Sequence, residues 1–217
     1  MAPGTIVVFA DLGCPWAHVG VHRLHSARQR LGLEASVGMD VRAFPLEIIN
    51  AQPTPFKGLQ NEIPELAVME PDAGWELWTA DATTWPVTTL LPMEAVEAAK
   101  EQSLEASATL DHALRRALFG QSRCISMRHV ILDVAATCEG LDVPALVEAL
   151  DDGRARRPML DGYTSAAGAI EGSPHYFLAD GTALHNPGVD FHWDKAQHRI
   201  VIDCDDPSVY DDLVRRA

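Results

Sequence analysis

A chain of 217 residues with 47% hydrophobic content is long enough to bury a full core, and one domain carrying an insertion is the expected arrangement. The net charge of −14 and a sequence pI near 4.9 disfavour nucleic-acid backbones and anionic lipid as partners. No stretch approaches the roughly 18 apolar residues of a membrane span and no export signal is legible at Met1-Ala2-Pro3-Gly4, so a cytoplasmic location is expected.

The first readable element is the apolar run Thr5 to Ala10, a strand, followed by Asp11-Leu12-Gly13-Cys14-Pro15-Trp16-Ala17-His18. Proline is favoured at a first helical position because its missing N–H has no partner to lose there, which sets Cys14 at or beside the N-cap. Unpaired N–H groups and the positive dipole end at that place favour a thiolate, so the expected pKa of Cys14 is below the ordinary value of about 8.5. A helix then runs from Pro15 to Leu31, with Gly20, Leu24, Ala27 and Leu31 on its apolar face and Arg23, Arg28 and Arg30 off it, and Gly32 stops it. Ala35 to Phe44 alternates and ends at Pro45, a second strand; a right-handed crossover completes a β-α-β unit.

Residues 46 to 85 are broken by Pro53, Pro55, Pro64, Pro71 and Gly74 and hold Trp75, Trp78 and Trp85, for which core packing of an insert is expected. Helical spacing returns over Leu90 to Leu104, capped by Thr88 or Thr89, over Ser107 to Phe119 ending at Gly120, over Ser126 to Cys138, and over Pro144 to Leu150. A further helix ends within Ser165 to Ile170. His175 to Leu178 and Ala183 to His185 flank the hairpin signal Asp180-Gly181, Arg199 to Asp203 reads as a last strand, and Val209 to Ala217 as a last helix.

Three histidines, His18, His22 and His25, share a helical face with Cys14. A rise of about 1.5 Å per residue leaves the outer two roughly 10 Å apart, too far for one ion, so no metal is expected and they read as solvated or hydrogen-bonded. Cys124, Cys138 and Cys204 lack C-x-x-C spacing and are expected as buried small apolar groups. Asp11 reads as a turn residue or a proton-transfer aid, and Asp203, Asp205 and Asp206 as a solvated cap of the last helix.

A strand, Cys-Pro-aromatic-X at a helix start, and a distant Gly172-Ser173-Pro174-His175-Tyr176-Phe177-Leu178 together resemble the DsbA-like branch of the thioredoxin superfamily. Within it the sequence is most similar to the cytosolic dithiol-disulfide isomerases and 2-hydroxychromene-2-carboxylate isomerase-like proteins, relatives of the kappa-class glutathione transferases. The resemblance implies an α/β fold with a thioredoxin-like core, residues 1-46 plus 163-217, and an all-helical insertion, 47-162. It implies a cis Ser173-Pro174 bond lying against Cys14, catalysis by Cys14, and substrate contact by Pro15, Trp16, Ala17, Ser173 and Pro174. The insert is expected to cover this region and leave a cleft with Trp16 on its wall. The family's oxidoreductases carry Cys-X-X-Cys, whereas Ala17 holds the fourth position here. The expected activity is therefore thiol-disulfide exchange or isomerisation through one cysteine, on a small or peptide thiol or disulfide. The alternatives are a glutathione-type transferase or isomerase and a redox-inactive binding protein. No cofactor is required beyond a low-molecular-weight thiol such as glutathione, and the oligomeric state is open, a homodimer included.

Overall fold

The computed structural model describes residues 2–217. Strand β1 (Thr5–Ala10) lies between β2 (Gly38–Ala43), parallel to it, and β3 (His175–Phe177), antiparallel, with β4 (Ala183–His185) at the outer edge. The order β2-β1-β3-β4 joins the two ends of the chain in one sheet. Both faces of β1 are covered, so it reads as a continuous apolar run rather than an alternating one. Ile6, Val8 and Ala10 point into the main core, while Val7 and Phe9 meet Phe44, Tyr163 and Ala166 on the other side.

Helix α1 (Pro15–Leu31) has the bounds its proline and glycine imply: Cys14 is the N-cap in an extended conformation, and Gly32 closes the helix at φ 66°. Lying off the apolar face does not leave Arg23 and Arg28 in solvent. α1 is packed by α3 (Phe56–Met69), α5 (Leu104–Gln121) and α9 (Val209–Arg216), so Arg23 and Arg28 are buried and must be paired. Arg23 reaches Glu70 at 2.6 Å and Asp205 at 2.7 and 3.1 Å. Asp205 is thus an ion-pair partner, which corrects its reading as a solvated cap; Asp206 does hold the Ser208 amide, at 3.0 Å.

Between the two halves of the sheet the described residues form only helices and turns: α2 (Leu46–Ile49), α3, α4 (Leu90–Ala99), α5, α6 (Arg128–Ala135), α7 (Val143–Asp152) and α8 (Arg156–Ala166), with short 3-10 turns among them. α8 crosses residue 162 unbroken and lies on β2, so the polypeptide has no break where the sequence suggests the insert ends. α4 stops at Ala99 and α5 begins at Leu104, because the Ser103 hydroxyl caps a new helix by accepting the Ala106 amide at 2.9 Å. Gly120 does not end α5. A Cβ there would lie 2.2 Å from the Gly74 carbonyl oxygen, so the glycine allows two backbones to meet, and Ser122 at φ 50° is the actual cap.

A second correction concerns the C-terminal strands. The last strand, β6 (Arg199–Asp205), is not in the core sheet; it pairs with β5 (Val189–Asp194), which the sequence reading missed, as a separate hairpin resting on α3. Cys204 is on this hairpin and exposed, and Cys124 is half-buried, so only Cys138 of the three is a buried apolar group.

The histidine face of α1 packs inward, which removes the solvated alternative and leaves the hydrogen-bonded one for His18. His18 is stacked on Phe119 with ring centroids 4.9 Å apart, and its Nε2 bonds to the Ala73 carbonyl at 3.1 Å. His25 stacks on His112 at 4.7 Å. Burial, helped by Arg28, lowers the His25 pKa to about 4, and burial with the neighbouring His25 and His22 lowers that of His112 to about 3.

Two outcomes follow from this packing. A histidine with a depressed folded pKa contributes stability that is present above its unfolded value of about 6.5 and is lost as pH falls toward the folded value, at about 1.4 kcal/mol per pH unit for each proton. Urea midpoints should therefore fall steeply between about pH 6.5 and pH 4, and less steeply in a His25→Gln/His112→Gln variant. At Gly20 an added Cβ would sit 2.3 Å from the Tyr176 hydroxyl and 3.0 Å from the Pro174 ring, so Gly20→Ala should cost about 1–3 kcal/mol in denaturant melts.

Candidate functional site

The turn between β1 and α1 is held by a buried carboxyl. Asp11 Oδ1 accepts the Gly13 amide at 2.7 Å, and Oδ2 accepts the Leu46 amide at 2.8 Å and the Thr89 hydroxyl at 3.2 Å. Because Thr89 is used in this way, the hydroxyl serving the start of α4 is that of Thr88, which accepts the Leu90 amide at 3.2 Å. The Asp11 amide donates to Ser173 Oγ at 2.9 Å, and its carbonyl accepts from Arg115 Nη1 at 2.8 Å. Arg115, wholly buried, is neutralised by Asp111 one turn earlier, at 2.8 and 3.1 Å. Burial raises the Asp11 pKa against the pull of these hydrogen bonds. Asp11 is therefore a structural hub of the turn, with its carboxyl fully engaged.

Cys14 sits over this hub, 5% exposed, and its Sγ donates to the Ser173 carbonyl at 3.2 Å. The Ser173-Pro174 peptide is cis. The expectation of a lowered thiol pKa is overturned: burial pushes it up to about 11, with the charge of Asp11 adding to the rise, against opposing hydrogen bonds from Ser173 and Ala17 and the charge of Arg115. A helix terminus is worth about 0.3–1 kcal/mol to an anion, whereas full burial can move a pKa by up to about 3–5 units. Reading the helix start without the burial gave the wrong sign.

A cleft of about 200 Å³ opens beside the thiol, between the β1–α1 turn and the insert. Cys14, Pro15 and Trp16 border it from the core, and Thr54, Leu59 and Glu62 from the insert. Trp16 is also stacked on Phe191 of the hairpin, ring centroids 3.8 Å apart. Of the other residues expected at the site, Ala17 is fully buried behind the thiol, and Ser173 and Pro174 are buried against α1, facing the sulfur rather than the cleft. Larger hollows of about 330 and 450 Å³ lie elsewhere, beside the Asp40–Lys100 and Arg23–Asp205 ion pairs. Among the described residues no group of three or more His, Cys, Asp or Glu could hold a metal ion.

The sequence analysis missed Arg115, Asp111 and Glu62. The first two had a signal: they lie in the stripe Leu110, Leu114, Leu118 that marks the buried face of α5, where an i,i+4 charge pair is out of place unless it is enclosed. Glu62 lies in the proline-broken stretch and had none. Trp75, Trp78 and Trp85 are half-buried; Trp75 packs on His18 and Phe119, while Trp85 donates to the Thr54 carbonyl at 2.9 Å and so steadies the cleft wall.

Comparison with solved structures places the fold beside a probable DsbA oxidoreductase from Streptomyces coelicolor, at a TM-score of 0.68 and 16% identity over 97% of this chain and 88% of that one. The cytosolic disulfide reductase DsbM from Pseudomonas aeruginosa aligns at 0.62 and 18% over 97% of both chains. A 2-hydroxychromene-2-carboxylate isomerase aligns at 0.58 and 16%, over 83% of this chain and 87% of that one. No curated protein matches the sequence. The model of the DSBA-like thioredoxin domain matches residues 5–197, and the chain belongs to that family.

Proposed function

We propose that this protein is a cytoplasmic thiol-disulfide exchange enzyme that works through Cys14 alone. The observation that carries the reading is a cysteine at the N-cap of α1, lining a cleft, with an alanine three residues on. The Cys14 thiolate attacks one sulfur of a disulfide R–S–S–R′, forming Cys14–S–S–R and expelling R′S⁻, which takes up a proton. Ala17 offers no second sulfur, so an external thiolate attacks the R sulfur, forms the new disulfide and releases the Cys14 thiolate. No net oxidation occurs. The raised pKa of Cys14 leaves a small fraction of it as thiolate at neutral pH, so the rate of the first step rises with pH toward about 11. The cleft volume suits a small thiol or one side chain rather than a length of peptide. The Pseudomonas aeruginosa reductase has also been solved with GSH, which supports a small thiol as the resolving partner here.

A second reading is favoured by one specific observation. A buried, protonated Cys14 that donates a hydrogen bond resembles a hydroxyl, and could hold the sulfur of a bound thiol as the serine-type motifs of kappa-class transferases and chromene isomerases do. Cys14→Ser separates the two. Exchange through Cys14 predicts complete loss of disulfide exchange in the serine variant and a mixed disulfide on Cys14 by mass spectrometry. Retention of full activity by the serine variant, or the mixed disulfide on Cys124, Cys138 or Cys204, excludes exchange through Cys14. Ala17→Cys should add an internal disulfide and raise insulin reduction, provided the tightly packed site accepts the added sulfur, which circular dichroism checks.

A further inference from the structure

Glu62 faces the cleft from α3 and, apart from Cys14 itself, is the one ionisable group in its lining; the other polar side chains there are those of Asn50, Gln52 and Thr54. Among the described residues no arginine, lysine or histidine borders the cavity. Glu62 has no ion-pair partner among the described residues, while its neighbours on α3 and at the end of that helix do: Glu65 is paired with Arg199 and Glu70 with Arg23. Below the thiol lies a second acid, Asp11, and the nearby Arg115 is bound to Asp111. A thiol that brought a carboxylate into this space would meet negative charge and no cation to receive it.

We propose that Glu62 sorts ligands by charge, so that the cleft takes low-molecular-weight thiols that carry an ammonium or only uncharged hydroxyl and amide groups and disfavours thiols that carry carboxylates, glutathione included; the likeness to the reductase solved with GSH then extends to the size of the thiol and not to its charge. This rests on the exchange reading above and names the substrate class of that same site. Burial pushes the Glu62 pKa up to about 7, with the Trp16 side chain pulling it back, so the residue carries its charge on the alkaline side of neutrality. The interaction of two unit charges across a half-screened cleft is enough to change a rate about tenfold.

The charge test is made first without any exchange chemistry. Alkylation of Cys14 by iodoacetamide and by iodoacetate, each divided by its rate with free cysteine, should differ about tenfold in favour of the neutral reagent on the alkaline side of the Glu62 value. The difference should vanish in Glu62→Gln and reverse in Glu62→Lys, with folding of both checked by circular dichroism. The pyridyl mixed disulfide of Cys14 is then exchanged with cysteamine, 2-mercaptoethanol and 3-mercaptopropionate, each thiolate attacking the Cys14 sulfur, forming a new mixed disulfide on it and expelling pyridine-2-thione. Normalised to a small mixed disulfide, the rates should fall in that order, with the spread shrinking in high salt. Equal normalised rates in the native protein, a preference for the anionic reagents, or an unchanged preference in Glu62→Gln would overturn the proposal. Charge selection in alkylation together with no disulfide exchange would instead remove the exchange reading and leave the charge filter standing.

Discussion

The site depends on one carboxyl that no solvent reaches. Asp11 gathers the turn before α1, the start of α2, the start of α4 and the loop that ends in Ser173-Pro174, four segments spread from residue 11 to residue 173. Three of these bonds end on the carboxyl, which accepts the Gly13 and Leu46 amides and the Thr89 hydroxyl, and the fourth is the Asp11 backbone amide donating to the Ser173 hydroxyl. Burying such a group is costly unless its oxygens are satisfied, and here they are. The thiol inherits its place from that arrangement, because its own hydrogen bond goes to the carbonyl of the same Ser173 whose hydroxyl Asp11 holds.

Much of the core was legible because local chemistry and tertiary packing agree there. Pro15 and Gly32 mark the ends of α1 by their own backbone preferences, and the Asp180-Gly181 turn joins β3 to β4 with Gly181 at φ 91°. Where the reading failed, packing had overruled local preference. Arginines on a helix face usually mean solvent, but α1 is enclosed by α3, α5 and α9, so Arg23 and Arg28 turned inward onto carboxylates. The helix-start argument for Cys14 considered the dipole of α1 and could not see the insert that removes water from the sulfur.

The hairpin was half legible for a related reason. β6 carries Ile200, buried against α3, and its alternation shows in the sequence. β5 presents aspartates, a histidine and two partly exposed aromatics, so its strand character rests on pairing with β6 rather than on a buried face. Glu62 belongs to the same class of residue. Its significance comes from what lies opposite, Trp16 and Cys14, and a stretch broken by Pro53, Pro55 and Pro64 gives no way to know which face of the helix looks toward them.

The guanidinium of Arg23 has a mechanical meaning beyond its neutralisation. It projects from the helix that begins at Cys14, grips Glu70 at the end of the helix that carries Glu62, and grips Asp205 on the hairpin whose other strand stacks Phe191 on Trp16. The helix under the cleft, the helix of its insert wall and the hairpin are thus joined through one guanidinium. One side chain on the helix that starts at the thiol is the common anchor of the insert wall and the hairpin, and the three elements share a single electrostatic tether.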